Sequence, residues 1–270
     1  MKKNIIALWA ALTTALSGIR IYQLLVLTEP ETGFLREHDL SVWFFCALLI
    51  LGAAALAILS RLAMKKEGVP PARNGDSRET GAALTALGAS ALCETVQNVF
   101  FAQPASMEVQ EGWLAAMAAV GFLAAGYFLL WGITALRGKI FRAPAVVTLL
   151  PSFWLALRAL YLYLEARIAV TVPAIVLPIL TTVFLALWWM ARARIQSGVD
   201  AAKGLLSLAS LTPICLLLIV VSVLPAAVGT LCVGADVSPA RMTDVTAALF
   251  APYIFLVRFP AGEASALREG

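Results

Sequence analysis

Charge is scarce in this chain and histidine almost missing. Only 13% of the 270 residues are Asp, Glu, Lys or Arg, about half the share of an average soluble protein. The single histidine, His38, excludes a metal site built from imidazoles. The four cysteines, Cys46, Cys93, Cys215 and Cys232, form no Cys-x-x-Cys pair. All lie in or beside apolar stretches, where free cysteine behaves as a small apolar side chain. No apolar stretch contains a lysine, which excludes a retinal Schiff base. His-Glu-x-x-His, Glu-Glu-x-x-x-Arg, Gly-x-Ser-x-Gly and a phosphate-binding glycine loop are all missing. Ser90 and Glu94 share a helical face as a nucleophile and base would, but that spacing is common in helices. No enzymatic activity, cofactor, metal or nucleic-acid partner is expected.

What the chain has instead is apolar length. Hydrophobic residues make up 61% of it, in blocks of about 20 residues, the number that covers the hydrocarbon core of a bilayer. Backbone in lipid must satisfy its own hydrogen bonds, so each block should be helical. The blocks predict an all-α polytopic transmembrane bundle of eight spans, at about 4–28, 41–63, 81–103, 112–136, 143–164, 168–191, 204–225 and 239–259. Pro225 and Gly229 are expected to end the seventh. The eighth rests on Ser238 as cap and Pro239 in the first turn. Read as an interfacial helix, it leaves seven spans. The first block also has a signal-peptide look, with Ala15-Leu16-Ser17 as a small-residue site. Its apolar run continues to Leu27, as in an anchor.

Cationic residues set the orientation. Lys2 and Lys3 precede the first span. Arg61, Lys65, Lys66, Arg73 and Arg78 fall between the second and third. Arg137, Lys139 and Arg142 follow the fourth, and Arg192, Arg194 and Lys203 the sixth. The alternate connections are acidic: Glu29, Glu31, Glu37 and Asp39, then Glu108 and Glu111, Glu165, and Asp236 and Asp244. Both termini are therefore expected in the cytoplasm, with residues 64–80 as a cytoplasmic linker and 260–270 as a tail. The acidic Glu29-Pro30-Glu31-Thr32-Gly33 loop follows from this orientation without a cation site.

Ionisable residues inside spans are costly and often functional. There are three: Arg20, Glu94 and Arg158. At 1.5 Å per residue they lie roughly 24, 20 and 22 Å from the cytoplasmic ends of their spans. This common level in the outer half implies that the first, third and fifth spans meet. Helical spacing adds Gln97 and Asn98 to the Glu94 face, with Ser90, Ala86 and Ala82 below as a small surface for close packing. It also aligns Trp154, Arg158, Tyr161 and Glu165, and makes Gln23 a neighbour of Arg20. One reading is an outward pocket of Arg20, Glu94, Gln97, Asn98, Arg158, Tyr161 and Glu165. Two arginines against one glutamate would favour a small anionic solute. The other reading is interhelical glue, with one arginine paired to Glu94 and the other snorkelling to the interface.

Three segments carry a resemblance: Gly18-Ile19-Arg20-Ile21-Tyr22-Gln23-Leu24-Leu25 with Glu29-Pro30-Glu31-Thr32-Gly33-Phe34; Leu150-Pro151-Ser152-Phe153-Trp154-Leu155-Ala156-Leu157-Arg158; and Ala191-Arg192-Ala193-Arg194. They resemble a family of uncharacterised multi-pass membrane proteins of anaerobic Gram-positive bacteria. The resemblance implies a bacterial plasma membrane and no particular activity. The functional expectation is small-solute binding or transport through the outer pocket. The alternative is a sensory or structural membrane component acting through partner proteins.

Overall fold

A computed structural model describes residues 2–28, 40–67, 77–100, 111–141, 143–165, 173–198, 201–232 and 242–258. Among these the secondary structure is helical. The elements are α1 (Lys2–Tyr22), continued by a π-helical turn (Gln23–Leu27), α2 (Leu40–Glu67), α3 (Arg78–Phe100) and α4 (Glu111–Leu136). They continue as α5 (Ala145–Thr148), α6 (Leu150–Glu165), α7 (Pro173–Gln196), α8 (Ala201–Cys232) and α9 (Met242–Arg258). Six helical segments are long and apolar enough to cross a membrane: Lys3–Leu27, Leu40–Met64, Ala115–Leu136, Ala145–Leu164, Val176–Gln196 and Lys203–Cys232. Large apolar side chains such as Trp43, Ile50, Leu51 and Leu231 face outward. Exposed apolar surface on that scale suits lipid, and the chain reads as a multi-pass membrane protein.

The two remaining long helices fall short for different reasons. α3 has the length but not the apolarity; α9 has 17 residues. Each buries one face against other helices and leaves part of its surface outward. α3 packs on α4 and α9, and α9 also packs on α8. Ser90 of α3 and Thr246 of α9 share a 2.8 Å hydrogen bond in their interface. The buried face of α3 carries Ser90, Glu94 and Thr95, polar side chains that a face turned to lipid would not readily hold.

Close approach of α3 to α4 depends on glycine. A β-carbon on Gly81 would lie 2.7 Å from the Leu136 backbone nitrogen, and one on Gly132 2.7 Å from that of Thr85. The packing surface expected at Ser90, Ala86 and Ala82 is thus displaced. Ser90 is buried, Ala82 and Ala86 are exposed, and Gly81 and Gly88 make the contact.

Two further boundaries differ from expectation. The fifth span is broken at Leu149, because Pro151 cannot donate to the carbonyl four residues earlier and its ring crowds that turn. Helix α8 does not end at Pro225; it runs through Pro213 and Pro225 to Cys232. Each proline removes one backbone bond, and an apolar environment offers a broken helix no replacement for the others. The expected start of the eighth span at Pro239 lies outside the described residues, as does most of the 64–80 linker.

The core has two parts. One is aromatic, with Phe128, Trp131, Trp188, Trp189, Phe250 and Tyr253 from α4, α7 and α9. Their rings meet mostly edge to face, as in Phe128–Trp189 at 5.2 Å, the arrangement ring quadrupoles favour. The other is aliphatic and joins α1 and α2 to α8 through Leu12, Leu16, Leu56, Leu217 and Val221. α8 touches α1, α2, α7 and α9 and so connects the two.

Candidate functional site

Arg158 projects from α6 into the first of these units and is 2% exposed. Its guanidinium grips Glu94 of α3 with both edges of the fork. Nε donates to Oε1 at 2.6 Å and Nη2 to Oε2 at 3.3 Å. Nη1 donates to Thr182 Oγ1 on α7 at 3.1 Å, and Nη2 donates a second bond to the Thr243 carbonyl of α9 at 2.6 Å. One turn back, the Trp154 ring lies 5.7 Å from the guanidinium carbon, within cation–π range. Four of the five guanidinium N–H groups are thereby satisfied, and a single side chain ties α6 to α3, α7 and α9.

The pair forms the back of a cleft between α3, α4 and α6. Glu94, Thr95, Asn98, Trp154, Arg158 and Tyr161 line it, with Met117 and Ala118 of α4 closing the far wall. Glu94 and Arg158 are buried, whereas Asn98 and Tyr161 are half-buried at the opening. The inner volume is about 10 Å³, room for about one water molecule. The cleft is therefore a small, nearly filled notch and not an open channel.

No protein-family model, curated protein or solved structure matches the chain. Its chemistry has to be read from its own residues.

Of the seven residues expected to form one site, the structure gathers Glu94, Asn98, Arg158 and Tyr161. Gln97 is exposed on the other side of α3. The Glu165 side chain lies outside the described ones. Arg20 is elsewhere: α1 packs on α2 and α8 rather than on α3 or α6. It is buried beside Gln23, whose Oε1 accepts from Nη1 at 3.1 Å, and the Gln23 amide donates to Ser41 Oγ of α2 at 3.1 Å. Equal depth therefore does not mean contact here. The charge sum behind an anionic solute also changes, because the cleft holds one arginine and one glutamate.

Sequence reasoning missed a second polar group within the aromatic core. Arg192, counted among the cytoplasmic flanking cations, is 3% exposed. It lies close to the Tyr127 hydroxyl, as does Tyr253. Tyr127 Oη and Trp189 Nε1 are buried and make no hydrogen bond among the described residues. The signal available was Trp188-Trp189 three residues before Arg192, a cluster that reads equally well as an interfacial belt.

Proposed function

We propose that the chain is an eight-span protein of a bacterial plasma membrane, with both termini cytoplasmic, that binds a small polar solute in the cleft between α3, α4 and α6. The alternation of cationic and acidic connections supports the orientation. The 23 residues of α3 cover roughly 34 Å at the usual rise, and the 17 of α9 roughly 25 Å. Both lengths suit helices that cross inside a bundle. Membrane type rests on the family resemblance alone.

The observation that carries solute binding is the polar mouth set in front of a saturated ion pair. Arg158 and Glu94 neutralise each other, so a solute meets no net charge. The side chain at the mouth best suited to meet it is Asn98, which offers both donor and acceptor groups, with the Tyr161 ring beside it as a wall. This suits a single hydroxyl, amide or amino group of a neutral or zwitterionic solute, the remainder of which stays outside the notch. A thermal-shift screen of the purified protein in detergent against amino acids, sugars and polyols tests it, because a ligand specific to the folded state raises the melting temperature. Asn98→Leu should abolish the rise while leaving the unliganded melting temperature near its original value. A rise that survives Asn98→Leu and Tyr161→Phe together would place the ligand elsewhere.

A second reading is favoured by the saturation of Arg158: the node is a structural clamp in a sensory or scaffolding component. It predicts no ligand in the screen, and stability that responds to Arg158 and Glu94 but not to Asn98.

A further inference from the structure

We propose that Arg20 forms a separate anion site that receives the phosphate group of a lipid headgroup or of a soluble phosphate. Arg20 and Arg158 are equally buried, at 3% and 2% exposure, but they are partnered differently. Arg158 has a carboxylate and two further acceptors. Arg20 has one neutral acceptor, the Gln23 side-chain carbonyl. No acidic side chain among the described residues reaches it. A guanidinium withdrawn from water without a counter-charge is strongly disfavoured, and an oxyanion bound to its remaining N–H groups would restore the balance. Phosphate matches a guanidinium with two parallel N–H···O bonds.

Two more observations converge on this place. The backbone widens into a π turn at Gln23–Leu27, directly after Arg20, and Gln23 within it is wholly buried. Isolated π turns recur at functional positions. Here the turn sets the Gln23 side chain between Arg20 and Ser41, fixing one edge of the guanidinium. At the same end of the helix pair, Tyr22 and Trp43 are 52% and 77% exposed. Outward aromatic rings mark the level of lipid headgroups, so Arg20, two residues or about 3 Å before Tyr22, sits close to that level, within reach of a phosphate there.

The test uses the full chain, stripped of lipid by extended washing in neutral detergent, with the melting temperature as readout. It compares phosphatidylglycerol, a phosphate-free diacylglycerol glycolipid, inorganic phosphate and chloride. Phosphatidylglycerol should raise the melting temperature by a few degrees, and the glycolipid and chloride should not. An equal rise with inorganic phosphate alone would assign the site to a soluble anion instead of a lipid. Arg20→Gln should lose the phosphate-specific rise and Arg20→Lys should keep part of it. If Arg20→Gln fails to fold, the comparison of phospholipid with glycolipid on the native chain still decides. Equal melting temperatures in all four conditions, or a phosphatidylglycerol effect undiminished in Arg20→Gln, would overturn the proposal. Because neither Asn98 nor Tyr161 is involved, the outcome is independent of solute binding in the cleft.

Discussion

Two buried arginines at similar depth behave differently because of what stands opposite them. Arg158 faces Glu94 and becomes a junction of four helices; among the described residues Arg20 donates to Gln23. Removing one partner of a buried ion pair costs about 3–5 kcal/mol, since the other charge is left without compensation. Arg158→Leu should therefore destabilise the protein by that amount, measured by unfolding in detergent. The Arg158→Leu, Glu94→Leu double variant should recover part of the loss, because no charge is then stranded. A double variant less stable than both single ones by the sum of their effects would show that the two side chains act independently. Ser90→Ala removes a neutral hydrogen bond between α3 and α9. It should lower stability by only about 0.5–1 kcal/mol, as such bonds between membrane helices typically do. That Glu94 would pair with one of the two arginines was legible in the sequence, because an acidic and a basic side chain isolated at one depth have few other ways to be tolerated; that the partner is Arg158 was not. The separateness of Arg20 was not, since depth along a helix says nothing about which way round the bundle a side chain points.

At the scale of the element, prolines and glycines decide more than hydropathy does. Gly132 lies against the Thr85 backbone, whereas the β-carbon position of Gly126 on the same helix has open space. Gly132→Leu should force α3 and α4 apart and sharply reduce the yield of folded protein in size-exclusion chromatography. Gly126→Leu should be tolerated. Pro225 lies within a continuous helix, so Pro225→Ala restores a backbone donor and removes a steric conflict. It should leave the melting temperature unchanged or raise it. A fall would mean that the turn around Pro225 is shaped for some other purpose. The periodicity of apolar blocks located these helices well. It failed at α8 because proline was read as a terminator, a rule calibrated on water, where an unpaired carbonyl can turn to solvent. Its signal is weakest at α3, whose polar residues Ser90 and Glu94 are partnered by Thr246 of α9 and Arg158 of α6.

For the molecule as a whole, the arrangement is two packing units joined through α8, one aliphatic around α1 and α2 and one aromatic around α4, α7 and α9. An eight-span path returns the C-terminus to the side of Lys2 and Lys3. A reporter fused at Gly270 should be active only in the cytoplasm, and activity outside would mean an odd number of crossings. What the sequence determined by itself is the solvent of this protein and the length of its elements. Blocks of some 20 apolar residues can be satisfied only by helices in lipid, and flanking cations bias which way they run; both are local properties of the chain. Only the tertiary structure decided which helices touch. It put Glu94 against Arg158, sent Arg20 to a different interface, buried Arg192 near Tyr127 and selected Gly81 and Gly88 over Ala82 and Ala86 as the packing surface. These are questions of rotation about the helix axis and of the order of helices around the bundle. In lipid no hydrophobic force distinguishes one apolar face from another, so the choice falls to close packing and buried hydrogen bonds between residues as far apart in the chain as Ser90 and Thr246.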